Sequence, residues 1–441
     1  MNVILLSGGS GKRLWPLSNE VRSKQFLKLF RKADGTKESM VQRMYRMIKN
    51  VDSEATITIA TSESQIPQIR AHLGDNVDIS IEPSRRDTFP AIALATAFLR
   101  KNGVGLNEPV VVCPVDPYVN EDYFECLCEM SKAAEKVDAA NLTLMGIEPT
   151  YPSTKYGYII PISKDSISSV LEFKEKPDEK TAEKYISEGA LWNGGVFAFR
   201  LRYLLDISQK ILGTNDYQRL FDGYDDLQKI SFDYAIVEKE KSINVLRFNG
   251  EWKDLGTWNT LSESMDDEVS GNAMSEGCIN THVINELGIP LITLGVKDAV
   301  VAATPDGILV SDKEASPKLK DLVVSARPMY ERREWGEYKI LDYKVHDNGD
   351  NSLIKEFMIT PGKHISYHRH VHRTEIWTVT EGTGEIIIDG IARPIGRGDV
   401  IVTNPGTKHA IKAITELHVV EVQIGDELTE DDIERLDWDW E

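Results

Sequence analysis

The sequence predicts an α/β protein up to about residue 265, a short β-rich segment after it, and an all-β barrel from about residue 327. Three observations predict this. Short β-branched runs alternate with helical-period stretches through the first 265 residues. A charged, small-residue stretch, Ser262–Gly277, then changes the texture. Beyond Arg327, strands alternate with turn signals at Asn348–Gly349, Pro361–Gly362, Asp389–Gly390 and Pro405–Gly406, the pattern of an all-β barrel or sandwich. The expected domains are therefore 1–265, 266–326 and 327–441.

In the first domain the strand candidates are Asn2–Ser7, Thr56–Ala60, Val110–Pro114 and Leu142–Ile147. Glu38–Lys49, Ala91–Lys101 and Tyr123–Val137 carry apolar residues at helical spacing. Strands separated by helices need crossover connections, which implies a mostly parallel, Rossmann-like doubly wound sheet covered on both faces. The middle segment offers Pro290–Leu294, Ala299–Ala303 and Gly307–Ser311 as strands with little helix.

A chain of 441 residues exceeds one ordinary core and fits two or three domains. Its net charge of −19 repels anionic polymers, which excludes general nucleic-acid or membrane-surface binding. Any phosphate site must then be locally basic. The N-terminal apolar run, Val3–Leu6, is too short for a signal peptide, and no stretch approaches the ~20 apolar residues of a membrane span. Cys113, Cys126, Cys128 and Cys278 show no framework spacing, as expected of reduced thiols in a cytoplasmic protein.

Ser7-Gly8-Gly9-Ser10-Gly11-Lys12-Arg13 follows directly on the first strand. Glycines there let backbone amides approach phosphate oxygens closely. The spacing is neither that of a P-loop nor GxGxxG, because Leu14 stands where the third glycine would be. Alone the turn is weak. Lys12, Arg13, Arg22, Lys24 and Lys28 strengthen it, although a solvated helix face would also explain five clustered cations.

The string GGSGKRLWPLSNEVRSKQFL resembles the signature of the sugar-nucleotide pyrophosphorylases, and most closely that of the mannose-1-phosphate guanylyltransferases. The resemblance continues in order through Glu82-Pro83 with Arg86, Thr88 and Pro90–Ala93, then Pro114-Val115-Asp116 and Tyr156–Ile159. Glu175-Lys176-Pro177, Trp192–Gly195, Asp233-Tyr234-Ala235 and Trp252–Trp258 follow. It implies a magnesium-dependent nucleotidyltransferase that joins a nucleotide, GTP above all, to a sugar 1-phosphate such as mannose 1-phosphate. Gly8, Gly9, Ser10, Gly11, Lys12, Glu82 and Arg86 would bind the nucleotide; Gly157, Glu175 and Asn193 would bind the sugar. Asp116 and Asp254 would hold Mg²⁺ between the phosphates. Arg13 would clamp the triphosphate and Lys24 would neutralise the sugar phosphate. Such phosphoryl chemistry needs positioning and neutralised charge rather than a covalent nucleophile. The chain departs from the family at Asp87-Thr88-Phe89-Pro90, at Pro117 after Asp116, and at Ser23, which bears on the base and the sugar rather than on the reaction.

Six of the nine histidines fall between His364 and His418. Gly362-x5-His368-x-His370-x4-Glu375-x6-Gly382 is a dense ligand pattern, joined by Gly398, Gly406 and His409. On a strand, His368 and His370 share a face and Arg369 points away. Histidines with one carboxylate suit a divalent transition metal such as Zn, Fe, Mn, Co or Ni. The pattern resembles the two cupin motifs, and specifically the C-terminal cupin of type II phosphomannose isomerases, which is often fused to a guanylyltransferase. Trp335-Gly336 and the acidic run Glu430–Ile433 match as well. His368 stands where those enzymes usually carry glutamine. Ile376, Asn404 and Ala410 replace a usual histidine, proline and arginine. These departures favour a structural or regulatory metal cupin over an isomerase that interconverts mannose 6-phosphate and fructose 6-phosphate. The expected assembly is a homo-oligomer, a dimer. The alternatives are a transferase for another base or sugar and, least favoured, a non-enzymatic sugar-nucleotide sensor, which would have no use for two metal-chelating aspartates.

Overall fold

The computed structural model describes the chain except residues 10–11, 20–21, 137–138, 324–327, 430 and 441. It divides into two units: Met1–Leu14 with Ser23–Asp266, and Trp15–Arg22 with Asp267–Glu441.

The first unit is built on a nine-stranded sheet. Its parallel half places Asp78–Glu82, Thr56–Ser62, Asn2–Leu6 and Pro109–Pro114 side by side. Along each strand the side chains alternate between two cores. Val3, Leu5, Val111 and Cys113 enter one core with Met44, Ile48, Phe124 and Leu127, which come from the helices Met40–Val51 and Glu121–Glu135. Ile4, Val110 and Val112 enter the other with Ile92, Leu99, Leu201 and Leu204, from the helices Thr88–Lys101 and Leu201–Leu212. Burial on both faces is what drives this layering, at roughly 1.5–3 kcal/mol per large apolar side chain. Ser39 and Gln42 form a capping box that starts the first of these helices. Val137, the expected end of one helical segment, lies outside the described residues.

The sheet is not mostly parallel throughout. Leu191–Arg200 runs antiparallel to Pro109–Pro114 and to Leu142–Ile147, and Ile167–Lys174 runs antiparallel to both of its neighbours. A further two-stranded ladder pairs Trp252–Asp254 with Pro117–Val119.

In the second unit, Val269–Gly271, His282–Asn285 and Ala299–Thr304 stack in parallel, as do Ala273–Glu276 and Leu291–Leu294. Stacked parallel rungs make a short β-solenoid, closed by the antiparallel strand Gly307–Asp312. The barrel that follows consists of a six-stranded and a five-stranded sheet. Their inner faces share a core of Phe357, Trp377, Ile386, Ile411 and Leu417 among others.

Candidate functional site

The C-terminal ends of the parallel strands open into a cavity of about 420 Å³ lined by Ser7, Gly8, Gly9, Lys24, Glu82, Arg85, Asp87, Asp116 and Lys229 among others. Ligands of open α/β sheets bind at this edge. Gly8, Gly9, Lys24, Glu82 and Asp116 are thus brought together as the sequence implies. Ser10, Gly11 and the side chain of Lys12 lie outside the described residues, and Arg13 is exposed. Arg85 lines the cavity as well, and the neighbouring Arg86 guanidinium lies 3.7 Å from Asp225.

A buried polar network fastens the glycine loop from beneath. The Ser23 hydroxyl donates to the Gly9 carbonyl at 2.8 Å and accepts from Gln65 at 2.9 Å. Gln25 donates to the Ser7 hydroxyl at 3.2 Å, and Thr61 donates to the Ser7 carbonyl at 3.1 Å. Ser23, a departure from the family pattern, supplies a donor that proline lacks. Glu82 accepts from the Tyr224 hydroxyl at 2.9 Å; burial pushes its carboxyl up, against the pull of that bond and of Arg85.

At the cavity mouth the Lys24 ammonium lies 2.7 Å from Asp116 and 3.8 Å from Asp254. The pairing of Asp254 with Pro117 across the two-stranded ladder sets the two aspartates side by side. Gly256 keeps room beside them, since a Cβ there would stand 3.0 Å from Asp254 Oδ1. Both carboxylates remain more than a third exposed. Part-exposed oxygens that already hold a cation between them suit Mg²⁺, which keeps several waters when bound.

Glu175 and Asn193 sit in a neighbouring cluster that also contains Asp233. Asn193 is held at both ends: its amide donates to Asp233 at 2.6 Å, and its oxygen accepts from the Gly195 N–H at 3.1 Å. Gly157 acts through space rather than contact, because a Cβ there would come within 2.6 Å of Glu175 Oε2. Tyr151 and Tyr156 each pack on Trp192 with ring centroids 5.0 Å apart, which builds an aromatic wall beside the polar groups. Burial, reinforced by the Glu175 charge, pushes the Asp233 carboxyl up to about 6. Asp233 was not among the residues expected to bind; its motif position alone hinted at it.

That shift has a measurable consequence. An unfolded aspartate titrates near ~3.9, so the folded state holds its proton more tightly. The stabilisation is complete below about pH 4 and is lost as pH rises through about 6. The melting temperature of the wild type relative to Asp233→Asn should fall over that window. A difference that stays constant from pH 4 to 7 would show that the carboxyl titrates normally.

In the barrel, His368, His370, Glu375 and His409 are all buried, with one donor atom from each within 4.8 Å of the others. Each imidazole places Nδ1 against a backbone carbonyl: His368 on Ser366 at 2.6 Å, His409 on Thr407 at 2.9 Å, and His370 on Asp432. These contacts fix the rings and leave Nε2 for the centre. Glu375 Oε2 and His409 Nε2 face each other at 3.2 Å without an aligned hydrogen bond. Buried, unsatisfied atoms that converge in this way suit a bound ion, and three nitrogens with one oxygen suit a transition metal. Arg369 turns outward onto Glu434 at 2.7 Å, as its alternation with the histidines requires.

Arg373, which the sequence offers as a cation near the metal, is part of this centre. It is 7% exposed and donates to Glu375 at 3.0 Å and to the Thr429 carbonyl at 2.7 Å; its third contact is His370 Nε2 at 3.2 Å. Burial alone would raise the Glu375 carboxyl, but the His370 and His409 ring nitrogens that face it at 3.2 Å and the Arg373 charge hold it well below the usual range.

The family model for nucleotidyl transferases matches residues 2–270, and the mannose-6-phosphate isomerase C-terminal model matches residues 325–438. Mannose-1-phosphate guanylyltransferases of Salmonella montevideo and Escherichia coli are each 31% identical over 98% of the chain, covering 98% and 97% of their own lengths. The xanthan biosynthesis protein XanB of Xanthomonas campestris is equally similar over the same share. A solved structure from Thermus thermophilus, described as a mannose-1-phosphate geranyltransferase, superposes with a TM-score of 0.62 at 30% identity. It covers 73% of this chain and 97% of its own.

Proposed function

The chain belongs to the mannose-1-phosphate guanylyltransferase family, and from that premise we propose that it transfers the guanylyl group of GTP to mannose 1-phosphate. A phosphate oxygen of the sugar attacks the α-phosphorus in line, a new P–O bond forms, and the bond to the leaving pyrophosphate breaks. The observation that carries this reading is the convergence of Lys24, Asp116 and Asp254 at the mouth of the glycine-loop cavity. Bound Mg²⁺ would neutralise phosphate charge between Asp116 and Asp254. Lys24 orients the incoming phosphate, Arg13 meets the triphosphate, and Glu175 with Asn193 takes the sugar hydroxyls. A matrix of the four NTPs and dTTP against several hexose 1-phosphates, read as pyrophosphate release, tests the assignment. GTP with mannose 1-phosphate should give the highest kcat/KM; a clear preference for another pair would replace it.

The division of labour between the cations has its own test. Lys24→Ala should raise the KM for mannose 1-phosphate at least tenfold and that for GTP no more than about twofold. An equal rise in both would place Lys24 on the triphosphate instead.

For the barrel we propose one divalent transition metal on His368, His370, Glu375 and His409, in a structural or regulatory role. Arg369 is committed to Glu434 and so offers a sugar 6-phosphate no cation at the metal centre. Among the described residues no helix is long and apolar enough to cross a membrane. The setting we propose is a cytoplasmic homodimer that supplies GDP-mannose for surface polysaccharide, in keeping with the name of the xanthan relative.

A further inference from the structure

The second unit takes with it a piece of the glycine-loop motif. Between Arg13 and Lys24, residues Trp15–Arg22 group with Asp267–Glu441. The fastenings are specific. The Thr304 hydroxyl donates to the Pro16 carbonyl at 3.0 Å, and Asn19 donates to Asp306 at 2.8 Å. Arg22 makes a two-pronged bond to Glu286, both distances 2.7 Å, and lies over the Tyr330 ring at 5.5 Å. The other oxygen of Asp306 accepts from the Met329 N–H at 2.6 Å. The closest fit is at Gly307, where a Cβ would stand 2.3 Å from Cζ2 and 2.6 Å from Cη2 of Trp15. Its φ of +150° also favours glycine.

We infer that the β-solenoid is a working part of the transferase, with Gly307, Thr304, Asp306 and Glu286 as positioning residues for the arm that carries Arg13. The inference rests on the reading of that arm as the triphosphate site. Ordering a loop costs conformational entropy at every residue fixed, and a misplacement of about 1 Å in a phosphate clamp can cost ~100-fold in rate. Fixing Trp15–Arg22 before substrate arrives removes that cost from the reaction. The two flanks are held differently. Lys24 is pinned within the first unit by Asp116, and Ser23 by Gly9 and Gln65. Arg13 is exposed and lies two residues from Trp15. Loosening the solenoid's hold should therefore disturb the triphosphate end and spare the sugar-phosphate end.

Gly307→Ala pushes the indole away without touching the active site. It should lower kcat/KM for the NTP at least tenfold and leave KM for the sugar 1-phosphate within about twofold. Adding Trp15→Phe, whose ring lacks the benzo edge that the new methyl would strike, should restore most of the loss. Glu286→Gln keeps the shape and removes the charge; it should give the same split at about threefold, and it serves if Gly307→Ala fails to fold. All constants are taken on whichever substrate pair the wild type turns over best, so a wrong base leaves the test intact. Wild type that releases pyrophosphate from no pair refutes the transferase reading itself. Unchanged constants in both variants, equal changes in both substrates, or a Gly307→Ala loss that Trp15→Phe does not recover would each overturn the positioning role.

Discussion

Asp116→Asn should lower kcat at least ~100-fold, and Asp254→Asn should do the same. The magnitude is that of one important transition-state contact, roughly 2.7–4 kcal/mol. As pyrophosphate departs, negative charge builds within reach of the Lys24 ammonium, which already sits 2.7 Å from Asp116 and 3.8 Å from Asp254. An asparagine keeps the volume and one oxygen but loses the charge that would hold Mg²⁺. It also frees Lys24 from its closest partner. GTP affinity should change far less than kcat, because Gly8, Gly9 and Arg85 still line the cavity. The measurement is steady-state pyrophosphate release across a Mg²⁺ titration. Near-normal turnover of Asp116→Asn at ordinary Mg²⁺ would remove Asp116 from the metal site. Recovery only at much higher Mg²⁺ would support it.

These two aspartates also mark what the sequence could and could not disclose. Each lies in a recognisable motif, yet nothing local says that the motifs meet. The short ladder that sets Asp254 against Pro117 is a long-range pairing with no periodic signature. The doubly wound core was legible because each strand alternates between two apolar faces, as Val3, Ile4 and Leu5 do. The antiparallel half of the sheet was not, since buried strands of either direction read as the same apolar runs. The solenoid was visible only as β-rich sequence, because its parallel rungs pair across turns rather than along the chain. Arg85 and Arg86 are adjacent, and only the backbone's path after Glu82 decides which one lines the cavity. The inward position of Arg373 is legible in the strand's alternation. On the strand Arg373–Glu381, Arg373, Glu375 and Trp377 fall two residues apart and so share the inner face. Residues 324–327, at the expected domain junction, and Glu430 of the acidic run lie outside the described residues.

Loss of the barrel metal is the second large effect expected. Purified protein should carry about one transition-metal ion per chain, and His370→Ala should carry almost none. His370 is one of the three imidazoles of the cluster, with its ring centroid 4.6 Å from that of His368 and 5.4 Å from that of His409. Removing it deletes a ligand and leaves Glu375 to Arg373, 3.0 Å away. A guanidinium cannot lose its proton, so this pair would compete with metal for the remaining site. An ion bound at 1,000 times its Kd stabilises the fold by about 4 kcal/mol. The variant's melting transition for the barrel should therefore fall to that of chelator-treated wild type. Asp116→Asn, by contrast, should keep its full complement of barrel metal. Elemental analysis and calorimetry on the whole chain decide the matter. Metal-free wild type whose melting is indifferent to chelator and to added Zn²⁺, Mn²⁺ or Co²⁺ would refute the site. The same metal-loaded protein, offered mannose 6-phosphate in a coupled assay, should show no robust turnover. Arg373 is the guanidinium placed at the metal centre, and it is already bound to Glu375 and the Thr429 carbonyl. Robust isomerisation abolished by His370→Ala would turn the barrel from a structural element into a second active site.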